Sequence, residues 1–389
     1  MENKNSQNRL WLSPPHLNGS ELNYIQDAIN KNWVTTAGDN IVEFERSLQN
    51  FTDSKYVVAL NSGTAAIHLG LILLGVKEGD EVICPALTFA ATANPIIYLK
   101  ASPVFVDSEE QTWNINPVLL KNFIIERLKI NKKPKAIIVV HLYGQPALMN
   151  EIIAISKEFE IPILEDAAEA LGSYFYYNSN KIMAGAGSEI GILSFNGNKI
   201  ITTSGGGALL TNDKKLAEKA LYLATQARDP LPYYNHQEIG YNYRMSNISA
   251  GIGCGQMENI ENKVLIKRNI FEFYKNEFSK YSFIKFQPEP HGTYSNHWLS
   301  TILIEKNSGI TPEMLRLELE KKNIESRRLW KPLHLQPVFN DCRFYGENNV
   351  AENLFETGLC LPSGTQLNET DLQRISEIIK KFIQKNLIS

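Results

Sequence analysis

A lysine surrounded by small, hydroxyl and glycine residues is the feature of this sequence that most directly suggests chemistry. Lys199 lies in the stretch SFNGNKIITTSGGG, residues 194–207. Most lysines are surface charges, but the apolar neighbours of this one indicate burial, and the glycines allow close backbone approach. A buried lysine can be held as a neutral amine, and a neutral amine can form an imine with a carbonyl carbon. The segment therefore predicts imine chemistry at Lys199.

Two adjacent carboxylates, Glu165 and Asp166, follow the apolar run IPIL. A carboxylate buried at that depth needs a cationic partner, because an unpaired buried charge is costly. Two partners are compatible with this position: an arginine elsewhere in the fold, or the protonated nitrogen of a bound pyridine ring. The residues alone favour the arginine, and the context has to decide between the two.

A Ser-Gly-Thr turn separates an apolar run from a helical pattern in the stretch LNSGTAAIHL, residues 60–69. Gly63, Thr64 and Ala65 would then open a helix, where the first backbone N–H groups have no partner within the helix. Such groups can bind a phosphate, but the same turn is also an ordinary helix cap. The segment alone supports both interpretations equally.

Short β-rich runs alternate with helical patterns through the first two thirds of the chain, which is typical of an α/β fold. The predicted strands cover residues 56–60, 81–84, 103–107, 136–141, 161–166 and 190–194. The run AIIVV is apolar at every position, as expected of a strand covered by helices on both faces. Ligands of such folds bind at the strand ends, which is where Glu165, Asp166 and Lys199 are expected.

The pattern changes after a long helical stretch, predicted over residues 246–278. We place a domain boundary near Glu261, which gives a large α/β domain over residues 1–260 and a smaller α+β domain over residues 261–389. The second part contains a predicted strand at 298–304, a helix at 311–322 that opens with a Thr-Pro-Glu start signal, and a terminal helix from about residue 368.

The composition is that of a globular enzyme. The 389 residues include 43% hydrophobic and 21% charged residues, with a net charge of -3, so no electrostatic footprint for nucleic acid is expected. The four cysteines lack the spacing of a zinc site or a disulfide framework, and no metal is expected. The polar N-terminus lacks the apolar stretch of a secretory signal, and the apolar runs are too short for a membrane span. We therefore expect a cytoplasmic protein without a membrane partner.

Taken in order, these motifs resemble the sugar aminotransferases of the DegT/DnrJ/EryC1/StrS family, which have the aspartate aminotransferase-like fold. The resemblance runs from LSPPH through NSGTAA, LTFAAT and EDAAEALG to the Lys199 loop and GYNYRMS. It implies an α/β enzyme of pyridoxal-phosphate fold type I, with a large mixed-sheet domain and a smaller C-terminal α+β domain. It also implies pyridoxal 5′-phosphate as cofactor, which becomes pyridoxamine 5′-phosphate after the first half-reaction.

The resemblance assigns several residues to the cofactor ring. Lys199 would be the catalytic residue that forms the imine, and Asp166 would hold the ring nitrogen protonated. Phe89 would stack on the ring, although a plain core aromatic is the commoner role of a phenylalanine. Glu169 would lie near the phenolic side of the ring, and Asn196 would be a further cofactor contact.

The cofactor phosphate would be bound by the turn that opens the helix. Gly63, Thr64 and Ala65 would supply this site, with Ser194 adding a hydroxyl group. Asn242 would reach the phosphate in the neighbouring subunit, so the resemblance implies a homodimer with shared active sites. The chain departs from the family at residues 203–207, where TSGGG lacks an acidic residue that many members carry before two glycines. No role can be assigned to that acidic residue here.

Within the family, the chain looks most similar to the bacillosamine-pathway aminotransferases, which act at C4 of UDP-linked 4-keto-6-deoxy-N-acetylglucosamine. The implied partners are therefore small molecules, namely L-glutamate and a nucleotide-linked keto sugar used in glycan biosynthesis. Both substrates are anionic or polar. The candidate substrate residues are His16, Arg228, Trp298, Arg327 and His334.

Three alternatives stand beside this reading. The first is the same reaction on a dTDP- or GDP-linked keto sugar. The second is a pyridoxamine-dependent sugar dehydratase, but in those relatives another residue, typically histidine, replaces the imine-forming lysine, so Lys199 argues against it. The third is a non-catalytic sensor fused to a DNA-binding module, which the absence of a helix-turn-helix pattern or basic face before the enzyme-like region disfavours.

Overall fold

An eight-stranded sheet forms the centre of the computed structural model, which describes residues 8–387. The expectation about the extreme N-terminus falls partly on residues 1–7, outside the described residues. The strand order is β1-β9-β8-β5-β4-β2-β3-β14, and β9 runs antiparallel to both of its neighbours, whereas the other adjacent pairs are parallel. The sheet is therefore mixed, as the resemblance implied.

The bounds of the elements in the described residues are as follows. The strands are β1 (Tyr56–Leu60), β2 (Glu81–Pro85), β3 (Ser102–Val106), β4 (Ala136–Val140), β5 (Ile163–Asp166), β6 (Tyr174–Tyr177), β7 (Asn180–Met183), β8 (Ile190–Ser194), β9 (Gly207–Thr211), β10 (Ile284–Phe286), β11 (Thr293–Tyr294), β12 (Ser300–Ile304), β13 (Arg327–Arg328), β14 (Arg343–Tyr345) and β15 (Gly358–Leu361). The helices are α1 (Glu21–Asn30), α2 (Asp39–Thr52), α3 (Gly63–Leu73), α4 (Asn94–Tyr98), α5 (Pro117–Lys129), α6 (Met149–Phe159), α7 (Lys214–Ala224), α8 (Asn247–Met257), α9 (Ile260–Phe278), α10 (Pro312–Lys321), α11 (Val350–Thr357) and α12 (Glu369–Leu387).

All six strands predicted for the first part of the chain are present, with bounds that differ by at most two residues. Every residue of β4 is buried, because the AIIVV strand lies inside the sheet between β5 and β2. The predicted helix at 311–322 is α10, with Thr311 as its N-cap, and the terminal helix is α12. The strand predicted at 298–304 begins two residues later, because Trp298 donates its N–H to the side chain of Asn296 in a turn.

The prediction of one helix over residues 246–278 was wrong. The stretch divides into α8 and α9, and Asn259 between them leaves the helical backbone, with φ -125° and ψ 17°. Helix α8 packs on α1 and α2 through glycines, and Gly253 leaves no room for a Cβ against the ring of Phe44. The second half of helix α9 joins a different apolar cluster, whereas Ile260 and Val264 at its start stay in the cluster of α8. This change of packing partner along the stretch favours two helices over one.

A second, four-stranded antiparallel sheet has the order β10-β12-β15-β13. It shares a core with side chains of α9, α10 and α12. The N-terminal segment joins this core, because Leu10 is buried in it and forms a parallel bridge with Ile324. The division into domains at residues 260 and 261 stays a prediction. Within residues 8–387, each helix is too short or too polar to cross a bilayer.

Three strand ends meet at one edge of the large sheet. Leu60 at the end of β1, Gly207 at the start of β9 and Ser194 at the end of β8 lie side by side in register. Asp166 ends the next strand, β5, opposite Ile192. A Cβ on Gly207 would lie 2.4 Å from the backbone of Ser62, so only glycine lets the turn before α3 approach β9. The sheet thereby gathers the three chemical segments of the sequence.

Candidate active site

A cavity of about 1150 Å³ opens at this edge of the sheet. It brings together residues from all three segments that the sequence singled out. Predicted cofactor residues that line it are Gly63, Thr64, Phe89, Asp166, Glu169, Ser194, Asn196 and Lys199. These residues are spread over more than 130 positions of the chain, so their convergence is a property of the fold and not of any one motif.

Lys199 lies in the loop between β8 and β9, and its side chain is 12% exposed. Its Nζ is 3.5 Å from Oε1 of Glu169 and 4.3 Å from the centre of the Trp298 ring. The preceding carbonyl, of Asn198, accepts a hydrogen bond of 2.8 Å from Nε1 of Trp298. The Lys199 amine therefore lies in the cavity wall on a turn that is held by the hydrogen bond between Trp298 and the Asn198 carbonyl.

Asp166 is buried in the cavity wall without an ionic partner from an arginine. Its carboxylate accepts hydrogen bonds from the Thr92 hydroxyl at 2.8 Å and from the Ala168 N–H at 3.2 Å. Burial raises the pKa of Asp166, against the lowering effect of these two bonds and of the nearby Lys199 amine. Throughout residues 8–387, no arginine forms an ion pair with Asp166. The arginine that the residues alone favoured is thus not the partner of this carboxylate.

Glu165 has a different role from its neighbour. His141 accepts a hydrogen bond from the Ala147 N–H at Nδ1, so its Nε2 is free to donate to Glu165 at 2.9 Å. The same carboxylate accepts from the N–H groups of Gly185 and Gly187. Glu165 therefore ties β5 to β4 and to the segment before β8, on the face of β5 opposite to the one that Asp166 presents.

Glu169 is the second buried carboxylate of the cavity wall. It accepts a hydrogen bond of 2.7 Å from the Tyr143 N–H. Burial raises the pKa of Glu169, and the nearby Lys199 amine and the Tyr143 bond act against that rise. The Lys199 amine is thus the group that makes a charged Glu169 tolerable in this position.

The turn before α3 is a helix cap that leaves two N–H groups for a ligand. The Ser62 hydroxyl accepts from the Ala65 N–H at 3.0 Å, so Ala65, which does not line the cavity, already has a partner. The N–H groups of Gly63 and Thr64 belong to the first turn, where no intrahelical acceptor exists. Ser194 adjoins Gly63, since a Cβ there would lie 3.0 Å from that of Ser194. The helix-cap interpretation of the turn is confirmed, and the phosphate site stays a prediction.

Phe89 is not a core aromatic. It precedes the short 3-10 helix Ala90–Thr92, its side chain is 52% exposed, and its ring centre lies 5.1 Å from that of Trp330. An aromatic ring exposed in a cavity wall leaves apolar area that a flat ligand can cover. Its placement agrees with a role in holding a ring.

Four other candidates lie outside this cavity. His16 hydrogen-bonds Thr365, Arg228 lies over the ring of Tyr234, and His334 contacts Glu352 and stacks on Phe344. Asn242 is exposed, and its carbonyl accepts from the side chain of Asn61, which lines the cavity. His16, Arg228 and His334 thus have local structural partners, whereas Asn242 faces outward beside the cavity mouth.

A second cavity of about 690 Å³ adjoins the first, and Asn198, Arg327 and Trp330 line both. Trp298 lines only the second. The Arg327 guanidinium donates from Nε and Nη2 to Oε1 of Glu325, and its side chain is 57% exposed. A cation therefore stands where the two cavities join.

Sequence reasoning missed several residues of the site. They are Ser62, Thr92, Tyr143, Glu325 and Trp330. Ser62 carried a readable signal, because serine is a preferred N-cap residue. Glu325 pairs with Arg327 two positions further along the chain, but neither residue type nor spacing placed that pair at the cavity. Thr92, Tyr143 and Trp330 act across the fold, and no spacing along the chain connects them to the residues they contact.

The sequence profile of the DegT/DnrJ/EryC1/StrS aminotransferase family matches residues 15–380. EpsN of Bacillus subtilis (strain 168), assigned provisionally as a pyridoxal phosphate-dependent aminotransferase, is 46% identical over 95% of each chain. GDP-perosamine synthase of Escherichia coli O157:H7 is 36% identical over 95% of this chain and 97% of its own.

More distant relatives extend the comparison. The UDP-4-amino-4,6-dideoxy-N-acetyl-beta-L-altrosamine transaminase of Campylobacter jejuni (serotype O:23/36, strain 81-176) is 29% identical, over 97% of this chain and 98% of its own. The crystal structure of a DegT DnrJ EryC1 StrS aminotransferase from Brucella abortus superposes with a TM-score of 0.86 at 29% identity, over 93% of this chain and 95% of that one. The aminotransferase fold expected from the sequence is confirmed.

The burial of Asp166 predicts a pH-dependent cost in the cofactor-free protein. The pKa of Asp166 is higher in the folded protein than in the unfolded chain. The free energy of unfolding therefore falls as pH rises above the unfolded pKa and through the folded pKa. Asp166→Asn should therefore be the more stable protein at high pH, by on the order of 1 kcal/mol, and lose that advantage at acidic pH. Urea unfolding of both proteins between about pH 4 and about pH 8 measures the difference.

The matched control is Asp341→Asn, which changes an exposed aspartate. It should leave the stability at each pH within about 0.5 kcal/mol of the wild type. Equal stability of Asp166→Asn and the wild type at all pH values would contradict the cost assigned to this carboxylate.

Proposed function

The chain belongs to the DegT/DnrJ/EryC1/StrS aminotransferase family, and from this premise we propose that it transfers an amino group from L-glutamate to C4 of a UDP-linked 4-keto-6-deoxy-N-acetyl-hexosamine. The family makes the protein an enzyme, a nucleotide-sugar transaminase with pyridoxal phosphate as cofactor. The single observation that carries the proposed site is the convergence of Lys199, Asp166 and the turn before α3 on one cavity.

The residues of the cavity fit this cofactor. A phosphate is accommodated by the free N–H groups of Gly63 and Thr64 at a helix N-terminus. A protonated ring nitrogen supplies the cation that the buried Asp166 lacks, and such a charge pair would lower the cost of its burial. Phe89 offers its exposed ring, and Lys199 offers its amine. Each polar part of the cofactor meets a group of matching chemistry.

The reaction assigns distinct tasks to the residues of the chain. When bound, pyridoxal phosphate supplies an electron sink and carries the amino group between the two half-reactions. Lys199 Nζ would hold the cofactor, and the same amine, when free, would take the proton from the donor Cα. The Asp166 carboxylate would stabilise the protonated nitrogen of the cofactor ring, and that positive charge would favour electron flow into the ring. Glu169, 3.5 Å from Lys199 Nζ, restrains the amine between these steps.

Arg327 is the proposed contact for the donor carboxylate. It lies where the two cavities join, and Glu325 engages only two of the five N–H groups of its guanidinium. The remaining donors can bind a carboxylate in the bidentate manner that suits arginine. Trp298 and Trp330 would then enclose the donor or the sugar in the second cavity. Arg228, held over Tyr234 outside both cavities, is the weaker candidate.

The choice of a UDP sugar rests on two supports. One is the resemblance of the Lys199 loop and neighbouring segments to the bacillosamine-pathway enzymes, and the other is the relative named as a UDP-4-amino-sugar transaminase. GDP-perosamine synthase is the more similar of the two nucleotide-sugar enzymes compared above, which keeps a GDP-linked sugar as the alternative. The lysine at position 199 continues to disfavour a dehydratase. Amino-sugar and glycan biosynthesis in the cytoplasm is the proposed setting.

A homodimer with shared sites is part of the proposal. Asn242 lies outside the cavity of its own chain but is exposed close to its mouth, next to Asn61. An outward side chain in this place can serve the cavity of a second copy. Arg244 supports the loop from beneath, through an ion pair with Glu45 and a 3.1 Å hydrogen bond to the Ala59 carbonyl.

A panel of nucleotide keto sugars tests the substrate. UDP-, dTDP- and GDP-linked 4-keto and 3-keto sugars are incubated with L-glutamate and pyridoxal phosphate, and the products are identified by mass spectrometry and NMR. We expect amination at C4 of the UDP-linked N-acetylated sugar, with kcat/KM at least about 100-fold above that of the other sugars. Lys199→Ala is the inactive control. Turnover with a GDP- or dTDP-linked sugar alone would overturn the choice of UDP.

Mixed subunits test the shared site. In a dimer of Asn242→Ala with Lys199→Ala, one site combines an intact Lys199 with an intact Asn242 from the other subunit. A mixture refolded at equal amounts should recover about a quarter of the wild-type activity, because about half of the dimers are mixed and each has one intact site. Activity no greater than the average of the two separate variants would count against the assignment of Asn242.

A further inference from the structure

Lys267 is a wholly buried lysine outside the active-site cavity. It lies on α9, and its Nζ is surrounded by three neutral oxygens, from Trp298, Ser363 and Ser13, at 2.9, 2.9 and 3.4 Å. Among residues 8–387, no carboxylate lies within 4 Å of this Nζ. A buried cation without an anion is costly, so a wholly buried lysine at this position calls for a specific role.

The oxygens around Lys267 lead to the active-site loop. Ser13 donates its hydroxyl hydrogen to the Asn198 carbonyl at 3.1 Å, and Trp298 donates its indole N–H to the same carbonyl at 2.8 Å. Lys267 contacts both of these residues, through Ser13 Oγ and the Trp298 carbonyl. Asn198 immediately precedes Lys199, and the Trp298 ring lies 4.3 Å from Lys199 Nζ. Two short paths thus connect the two lysines.

The number of donors on Lys267 determines the state of these paths. An ammonium has three N–H donors, which match the three oxygens around it. Since the Ser13 hydroxyl donates to Asn198, its oxygen is left to accept from Lys267. A neutral amine has only two N–H donors and one lone pair, so the Ser13 hydroxyl could turn toward it and leave Asn198. The charged form of Lys267 therefore favours two hydrogen bonds on the Asn198 carbonyl.

We propose that Lys267 is a positioning residue for Lys199, acting through Ser13 and Trp298 on the Asn198 carbonyl. The inference rests on the proposed role of Lys199 as the lysine that binds the cofactor. Lys267 holds three separate segments at one point, namely the N-terminal segment at Ser13, the turn before β12 at Trp298 and the connection after β15 at Ser363. Because Ser13 and Trp298 both bond the Asn198 carbonyl, Lys267 thereby fixes the position of the turn that carries the Lys199 amine.

The environment of Lys267 puts its titration within reach of experiment. Burial lowers the pKa of Lys267 to about 7, and the positive charge of Lys263, one turn earlier on α9, adds to this effect. Lys263 itself contacts the His16 carbonyl and Gln256, and is faced by Glu21 of α1. The His16 ring is also close to Lys263, and Tyr274 of α9 donates to the carbonyl of Pro362, next to the Ser363 that accepts from Lys267. A change of the pH profile that appears with Lys267→Met and not to the same extent with Lys263→Met therefore identifies Lys267.

The test compares Lys267→Met with Lys263→Met in the cofactor-loaded protein. Both changes remove a buried ammonium from α9, but only Lys267 contacts Ser13 and Trp298. The readouts are the pH midpoint of the near-visible absorbance of the lysine-bound cofactor, kcat, and KM for glutamate. We expect Lys267→Met to move the midpoint by about 0.5 pH unit or more and to lower kcat about tenfold, with KM within about twofold. Lys263→Met keeps Lys267 and its contacts to Ser13 and Trp298, so it should leave kcat within about twofold and move the midpoint less than Lys267→Met does.

Ser13→Ala provides the second variant, because it interrupts one path while keeping the Lys267 charge. Ser13→Ala should change the pH midpoint and lower kcat about threefold. This result can be measured even where Lys267→Met does not fold. Wild-type values in Ser13→Ala would overturn the proposal, as would a midpoint and kcat in Lys267→Met equal to those of Lys263→Met. A failure of the underlying role of Lys199 has a different signature, since the near-visible absorbance would then survive in Lys199→Ala.

Discussion

Asp166 and Glu169 are buried in the same cavity wall, and burial raises the pKa of both carboxyl groups. Few arrangements make two buried carboxylates tolerable without an arginine. Lys199 supplies one cation, 3.5 Å from Glu169, and hydrogen bonds from Thr92 and Ala168 partly satisfy Asp166. In the proposed function, a ligand with its own positive charge would complete the balance, because it would bring the charge that the protein does not provide at Asp166. The proposed function of the site depends on this constraint, namely that the buried Asp166 carboxylate requires a cationic partner.

The sheet meets this constraint by placing four strands in a particular order. Because β9 runs antiparallel between β1 and β8, its start lies beside their ends, and the turn before α3 reaches Ser194. Gly207 is required at the contact, since a Cβ would collide with Ser62. The adjoining second cavity is lined by Arg327 of the second sheet, by Trp298 just before β12 and by the N-terminal segment at Ser13. In the inference above, Lys267 links these segments to the position of the Lys199 amine, through Ser13 and Trp298.

The sequence predicted the parts of the site whose evidence is local. Strand patterns located β1 to β5 and β8 within two residues, and the resemblance led to Lys199, Asp166 and the turn at Gly63, which the structure brings to one cavity. It failed where packing decides. The break between α8 and α9 follows from two separate packing partners, and Trp330 enters the site from the far end of the chain. Such contacts join positions over 200 residues apart, and no periodicity within one segment records them.

The most direct test of the central claim is to identify the residue that binds the cofactor. The protein loaded with pyridoxal phosphate is reduced with borohydride, which makes an imine link permanent, then digested and sequenced by mass spectrometry. We expect to find the mass of the reduced cofactor on the peptide that carries Lys199. The Lys199→Ala protein, treated in the same way, should be unlabelled. Labelling of a different lysine in the wild-type protein, or of no lysine at all, would contradict the central claim.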